Sequence, residues 1–261
     1  MIDSWLQTQA SVLSLTFSDA SGRITSGSGF KVRNVLITNN HVVQVPRATH
    51  VQIRSVCSDS FTSAFELNLT YPHFQAAFVE GDPETAWDFA VFRIDGADFA
   101  RLPSLQLAED GPVEVGTPIA IFGYQFDQPQ QSMHLGHISS QYHRAGVHYL
   151  QLDSSVNHGN SGGPLVDTRT GRVVGIVTRK ATGLTAQFEQ LMQAFGQNIA
   201  GLQQLRQGGY VTVGGIDPVA TTIAIQEQLR RLAIEISRSA NVGIGYAYHV
   251  SKVRECVARV A

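Results

Sequence analysis

The sequence predicts a chain dominated by β-structure: two six-stranded antiparallel β-barrels, a helical hairpin inserted into the second, and a C-terminal helix. Three observations predict this. Short runs rich in β-branched and aromatic residues follow one another with turn signals between them. Hydrophobic residues make up 43% and charged residues only 15% of 261 positions, which suits a sizeable core. Apolar residues at three- and four-residue spacing, the mark of amphipathic helices, fall within 184–205, 219–236 and 253–260.

In chain order, residues 11–18, 24–32, 34–39, 49–56, 61–70, 75–79 and 89–94 read as strands of a first barrel within 1–100, with Ser-Gly and Arg-Asn turn signals among them. Residues 95–112 read as a connector containing Pro and Asp. Residues 117–122, 132–142, 147–153, 164–167, 172–179 and 242–249 would form the second barrel, from 113–180 plus 241–261, with a hairpin turn at Asp167–Arg172. Between them, 181–240 reads as a helical insertion. Leu184, Phe188, Leu191, Met192, Phe195, Ile199, Leu202 and Leu205 line one helix. Gly208-Gly209 and Gly214-Gly215 end it and flank a short Tyr210–Val213 piece. Asp217 then caps a second helix that has Pro218 at its first position and carries Val219, Ile223, Leu229, Leu232, Ala233 and Ile236. Ser251 caps a last helix, whose Val253, Cys256, Val257 and Val260 form a stripe facing the barrel.

Composition removes several function classes. A net charge of −2 gives no electrostatic footprint for nucleic acid. No run of 18 apolar residues suggests a membrane span. Met1–Gln7 lacks the basic start and apolar core of a secretory signal. Two cysteines, Cys57 and Cys256, sit in no metal or redox motif, and so low a count suits a reducing cytosol; a bridge between them is the less favoured arrangement. His134, His137, His143 and His148 are spaced as strand residues rather than as zinc ligands.

The chemistry concentrates in Asn157-His158-Gly159-Asn160-Ser161-Gly162-Gly163-Pro164. A nucleophilic serine needs backbone N–H groups aimed at the oxyanion it creates, and flanking glycines let the chain turn tightly beside a substrate. On this reading the N–H groups of Gly159 and Ser161 form the oxyanion hole; the bland alternative is a Gly-rich turn. A serine also needs a general base, and the base needs a carboxylate to fix its tautomer. Leu36–Val43 is an apolar run that contains His41, and Ala86–Phe92 places Asp88 at the mouth of another. A lone His there is ordinarily a surface or capping residue, and a lone Asp a turn residue. The chain order His, Asp, Ser is that of two-barrel serine proteases, not of subtilisins or α/β-hydrolases.

With these residues the chain resembles the trypsin-fold serine peptidases of the HtrA (Deg) type. The matching pieces are Gly27-Ser28-Gly29-Phe30, Leu36–Val43, Trp87–Val91, Asn160–Val166, Gly171–Ile176 and Gly243–Ala247, within roughly 10–180 and 241–261. The resemblance implies His41 as general base, Asp88 as its orienting carboxylate and Ser161 as nucleophile, with an acyl-enzyme and neither metal nor cofactor. It places the base of the primary substrate pocket near Ser155 and one wall at Thr178-Arg179-Lys180, with His158 beside the cleft. An uncharged Ser155 favours a small or medium apolar side chain; Arg179, Lys180 and His158 leave an acidic one open. Asn160 replaces the aspartate with which many digestive relatives bind a new N-terminus, and no Ile-Val-Gly-Gly start is present, so clipping is not the expected switch. No PDZ domain is recognisable. In relatives a shorter loop beside the cleft replaces 181–240, so the helices are either a gate or docking site for an activating protein or a packed decoration.

The expected function is a cytosolic bacterial serine endopeptidase acting on a protein or peptide substrate, without nucleic acid or membrane. One version is a narrow regulatory protease, for instance in antiphage or stress defence; another is a housekeeping quality-control peptidase. A protease-fold binding scaffold with an occluded site is the alternative from another class.

Overall fold

The computed structural model describes residues 2–57, 59, 62–109, 111–180, 186–209, 212–239 and 243–260. The side chains of 2–4, 127, 179, 180, 186, 187, 189 and 237–239 lie outside the described set. Two compact units emerge, one comprising 1–181 with 243–261 and the other 182–242.

The first unit begins with helix α1 (Ile2–Ser11), then β1 (Val12–Asp19), β2 (Gly22–Val32), β3 (Val35–Thr38), the short helix α2 (Asn40–Val43), β4 (His50–Val56), β5 (Ser63–Thr70), α3 (Tyr71–Ala76), β6 (Phe78–Asp82) and β7 (Phe89–Arg93). These seven strands form one antiparallel sheet in the order β5-β4-β1-β2-β3-β7-β6. It differs from a six-stranded closed barrel in having β5 and β6 as its two outer strands. The expected strand 75–79 divides: 75 and 76 finish α3, and β6 starts at Phe78. The cause is local, since Thr70 caps α3 by accepting from the His73 N–H at 3.4 Å and Pro72 suits its first turn. Helix α1, which the sequence gave no reason to expect, places Trp5 against Phe122 with ring centroids 5.6 Å apart.

A connector carrying helix α4 (Ala97–Arg101) leads to the second half. There β8 (Pro118–Gly123), β9 (Ser132–Arg144), β10 (Val147–Leu152), β11 (Pro164–Asp167), β12 (Val173–Lys180) and β13 (Gly245–His249) close into a barrel in the order β10-β13-β12-β11-β8-β9. These are the six strands anticipated from the sequence, displaced by at most three residues at an end. Helix α7 (Ser251–Val260) buries Val253, Cys256 and Val257, the anticipated stripe. Cys57 is exposed and Cys256 buried, both as free thiols.

The two halves share a core. Phe30, Ile37, Phe89 and Val91 of the sheet pack in one cluster with Ala120, Phe122, Val166 and Ile176 of the barrel. Alternation explains this, because every second residue of a strand faces the same side. Along the seam, the Ser28 N–H donates to the Ser161 carbonyl at 2.9 Å. The connector is tied down by Lys31, 2% exposed, whose Nζ donates to the Leu102 carbonyl at 2.6 Å and the Ala100 carbonyl at 3.0 Å.

The second unit contains α5 (Ala186–Gln207) and α6 (Pro218–Ser239), packed as a hairpin. Asp217 caps α6, accepting from the Ala220 N–H at 3.0 Å. Residues 210 and 211 of the anticipated Tyr210–Val213 piece lie outside the described residues; Val213 bridges to Ile216. Ile225, Leu229, Leu232 and Ile236 form an outward row on α6, between 45% and 56% exposed. Among the described residues, no helix is long and apolar enough to cross a membrane.

On the barrel, His143, His148 and His249 stack with centroids 4.3 and 4.6 Å apart. Burial, with His249 and His143 alongside, pushes His148 down to about 4, and burial chiefly, then His143, lowers His249. A histidine held neutral in the fold binds fewer protons there than in the unfolded chain, so this contribution is complete above the ordinary value of 6.5 and is lost as pH falls toward about 4. The urea midpoint should therefore drop between about pH 7.5 and about pH 5, and His148→Phe should narrow the drop. An equal drop in that variant would contradict the assignment.

Candidate active site

Asp88 lies just ahead of β7 with a positive φ of 43° and no exposure. Non-glycine residues rarely adopt this conformation, though Asp tolerates it better than most. Here it turns the carboxylate inward, where it accepts three hydrogen bonds: from the His41 backbone N–H to Oδ1 at 3.0 Å, from His41 Nδ1 to Oδ2 at 2.6 Å, and from Thr178 Oγ1 to Oδ2 at 3.1 Å. The Asp88 carbonyl accepts from Asn39 Nδ2 at 2.7 Å. A buried carboxylate without such partners would cost several kcal/mol. With Nδ1–H donating to Asp88, His41 Nε2 is left as the acceptor, the tautomer a general base requires.

His41 was read as the end of an apolar strand. It stands instead on the single helical turn α2, directly after the buried Asn39, with a side chain 31% exposed. It lines an open cleft of about 730 Å³ together with Asn40, Gln44, Gly81, Pro83, Glu84 and Thr85. A depression of about 640 Å³ between Leu67, Phe78 and Arg93 lies at the outer strands of the sheet and holds no nucleophile.

Ser161 follows the 157–160 loop on the barrel side. Its Oγ donates to the Thr178 carbonyl at 2.6 Å. Among the described residues, no hydrogen bond joins Ser161 to His41. Thr178 thus serves both halves of the site, its hydroxyl holding Asp88 and its carbonyl holding Ser161. A rotation of the serine side chain exchanges the carbonyl for the imidazole, at a cost on the order of one hydrogen bond, about 0.5–1.5 kcal/mol.

The loop before Ser161 needs its glycines. Gly159 has φ +95° and Gly162 φ +85°; a Cβ on the first would run into the Tyr124 carbonyl, and one on the second into the Ser28 carbonyl and the Thr38 hydroxyl. The Gly159 carbonyl accepts from Ser28 Oγ at 2.6 Å, and Ser28 Oγ accepts from the Tyr124 N–H at 3.0 Å. Among the described residues, the N–H groups of Gly159 and Ser161 have no hydrogen-bond acceptor. They are therefore available to a developing oxyanion, as expected of those two donors. The Asn160 amide is fully buried with neither its nitrogen nor its oxygen bonded, a local cost built into the loop.

The other anticipated residues divide. Ser155 is half-buried within 154–156, which packs against Gly245 of β13, where a Cβ would strike Val156. His158 is exposed, and it is its carbonyl rather than its ring that bonds within the site, accepting from the Phe126 N–H at 2.8 Å. Thr178 sits at the centre of the network and does more than line a pocket. The Arg179 and Lys180 side chains lie outside the described residues. Ser28, Asn39 and Phe126 were not singled out as site residues. Ser28 alone left a signal, the small-residue run Gly27-Ser28-Gly29 inside a strand.

This arrangement can deprotonate Ser161, hold the imidazolium and bind an oxyanion. Asp88→Asn should lower kcat about 10⁴-fold with the fold intact, because it stabilises the wrong tautomer. Thr178→Val should cost about 10–100-fold, the worth of a hydrogen bond to a charged group. Measured hydrolysis of a reactive ester decides; an unchanged Asp88→Asn rate would contradict the geometry.

Comparison with known proteins agrees with the fold. A model of the trypsin-like peptidase domain matches residues 22–176. The chain is 31% identical over 176 residues to mitochondrial serine protease HTRA2 of Bos taurus, covering 64% of this chain and 34% of that protein. It is 28% identical over 211 residues to a probable periplasmic DegP-like serine endoprotease of Pseudomonas putida, covering 78% of this chain and 35% of the relative. It thus spans about a third of the length of these relatives. Among solved structures, the HtrA-type protease AlgW with tripeptide superposes with a TM-score of 0.59 at 20% identity, covering 99% of this chain and 62% of that one, a likeness of fold alone. The serine endoprotease from Yersinia pestis gives a TM-score of 0.52 at 25% identity over 69% of this chain and 58% of that one. With more than half its length matched, the chain belongs to the trypsin-like peptidase domain family and is HtrA-like within it.

Proposed function

We propose that the chain is a serine endopeptidase that cleaves protein or peptide substrates through an acyl-enzyme. The observation that carries this reading is the buried Asp88 carboxylate, which holds the His41 ring by Nδ1 at 2.6 Å and is held in turn by Thr178. Ser161 Oγ attacks the scissile carbonyl and passes its proton to His41 Nε2. The carbonyl oxygen, now negative, accepts from the Gly159 and Ser161 N–H groups. His41 then protonates the departing amine, and a water deprotonated by His41 releases the acyl group. No step calls for a metal or cofactor.

A regulated enzyme suits the resting geometry better than a constitutive one, since Ser161 Oγ is bonded to Thr178 rather than to His41. The 182–242 hairpin is the element we assign to an activating protein partner, because the row Ile225, Leu229, Leu232 and Ile236 is exposed at helical spacing. Two unpaired thiols suit a cytoplasmic setting. At the primary pocket, Ser155 favours small or medium apolar side chains.

The test is digestion of an unfolded protein such as reduced casein, with cleavage sites read by mass spectrometry and Ser161→Ala as the blank. Cleavage by the native chain alone, after small apolar residues, is expected. Fragments of equal abundance from Ser161→Ala would refute the assignment. A chain with 182–242 replaced by a short Gly-Ser loop should stay folded, since β12 and β13 pair directly with Lys180 opposite Gly245, and should lose any stimulation by the partner.

A further inference from the structure

The direction of one peptide unit decides whether the Gly159 N–H faces a substrate oxygen, and something must set it. The His158 carbonyl and the Gly159 N–H belong to the same trans peptide and point in opposite directions. Whatever captures the carbonyl therefore aims the N–H. In this structure the captor is the backbone N–H of Phe126, at 2.8 Å.

Phe126 is unusual in two respects. Its backbone is left-handed, with φ 51° and ψ 36°, inside the short turn Gln125–Asp127. Its side chain is 53% exposed, so no burial of the ring accounts for that conformation. Phenylalanine rarely adopts it, and residues so held persist where the surroundings over-determine them.

The surroundings do so here. Tyr124, 1% exposed, anchors the turn from the core side. Its N–H donates to Ser28 Oγ at 3.0 Å, and Ser28 Oγ donates to the Gly159 carbonyl at 2.6 Å. Gln125 Oε1 accepts from Asn157 Nδ2 at 2.8 Å. The turn closes on itself through the Gln128 N–H and the Gln125 carbonyl at 2.9 Å. Gly159 is packed so closely on Tyr124 that a Cβ there would meet the Tyr124 carbonyl. Residues 124–126 and 157–159 are thus bonded as one body. Opposing this is the unbonded, buried Asn160 amide, which any rearrangement of the loop could relieve.

We propose that Phe126 is a positioning residue: its left-handed backbone presents the N–H that holds the His158–Gly159 peptide with the Gly159 N–H toward the oxyanion. The inference rests on the serine-peptidase reading of Ser161. It assigns the work to backbone geometry, so the conformational class of residue 126 should govern activity and its side-chain chemistry should not. The exposed ring also offers a contacting protein a place from which to loosen or tighten the latch.

The test is a series at one position, Phe126→Gly, Phe126→Asn, Phe126→Val and Phe126→Pro, read by the second-order rate of fluorophosphonate labelling against a Ser161→Ala blank. Gly and Asn accept a left-handed backbone and keep the N–H; Val keeps the N–H but disfavours the backbone; Pro removes the N–H and fixes φ near −65°. Gly and Asn should label within a few-fold of the native rate. Pro should fall about 10²–10³-fold, as for loss of one oxyanion donor, and Val in between. Substrate affinity should not follow. A peptide should bind Ser161→Ala and Ser161→Ala/Phe126→Pro alike by calorimetry, so that kcat falls while KM is kept. Labelling of the Pro variant at the native rate, or Gly and Pro falling together, would overturn the latch and leave the peptidase reading standing. Should the Pro variant not fold, the Gly–Val contrast at matched melting temperature carries the same decision. A native chain that labels no faster than its Ser161→Ala blank would overturn the peptidase reading and the latch with it.

Discussion

The site depends on a carboxylate that has been taken fully out of water. Asp88 belongs to the sheet, yet one of its oxygens bonds both to His41 of the same half and to Thr178 of the barrel. An ionised group in that position is tolerable only with all its partners present. Removing the Thr178 hydroxyl or shifting β12 relative to β7 would leave charge uncompensated. The register between the two halves is therefore written into the solvation of one side chain. The shared core around Phe30, Phe122 and Ile176 supplies the bulk attraction, and Asp88 supplies the alignment.

The same strand sets the resting state of the nucleophile. Because Thr178 offers its hydroxyl to Asp88 and its carbonyl to Ser161, the base and the nucleophile are positioned from one residue but are not bonded to each other. The difference between the two serine rotamers is on the order of one hydrogen bond, about 0.5–1.5 kcal/mol net. An equilibrium so nearly balanced is easily shifted by a ligand with a modest preference for one state. The oxyanion loop is balanced in a similar way, with the Ser28, Gln125 and Phe126 contacts on one side and the orphaned Asn160 amide on the other. Both halves of the machinery are thus built to be assembled at small cost.

Much of this was legible in the sequence, and what was not has a physical reason. Six barrel strands and three helices followed from period-2 and period-3.6 patterns, and His41, Asp88 and Ser161 from their order and local context. The strand placed at 75–79 was half wrong because Thr70 and Pro72 start a helical turn whose signal is only two residues long. His41 was assigned to the end of a strand because an apolar run does not distinguish a last strand residue from one turn of helix. Thr178 could be placed by resemblance, but its double bonding depends on a fold that brings residues 88, 161 and 178 together. Phe126 could not be found at all, since its contribution is a backbone N–H and nothing in a phenylalanine's chemistry announces a left-handed φ.

The most direct test of the account is a crystal structure of the chain with a peptidyl boronate on Ser161. The account predicts a tetrahedral boronate whose one oxygen accepts from both the Gly159 and Ser161 N–H groups, with the serine oxygen turned away from the Thr178 carbonyl and the Asp88–His41 bond unchanged. A boronate oxygen directed to solvent, with the His158–Gly159 peptide reversed or His41 detached from Asp88, would contradict it.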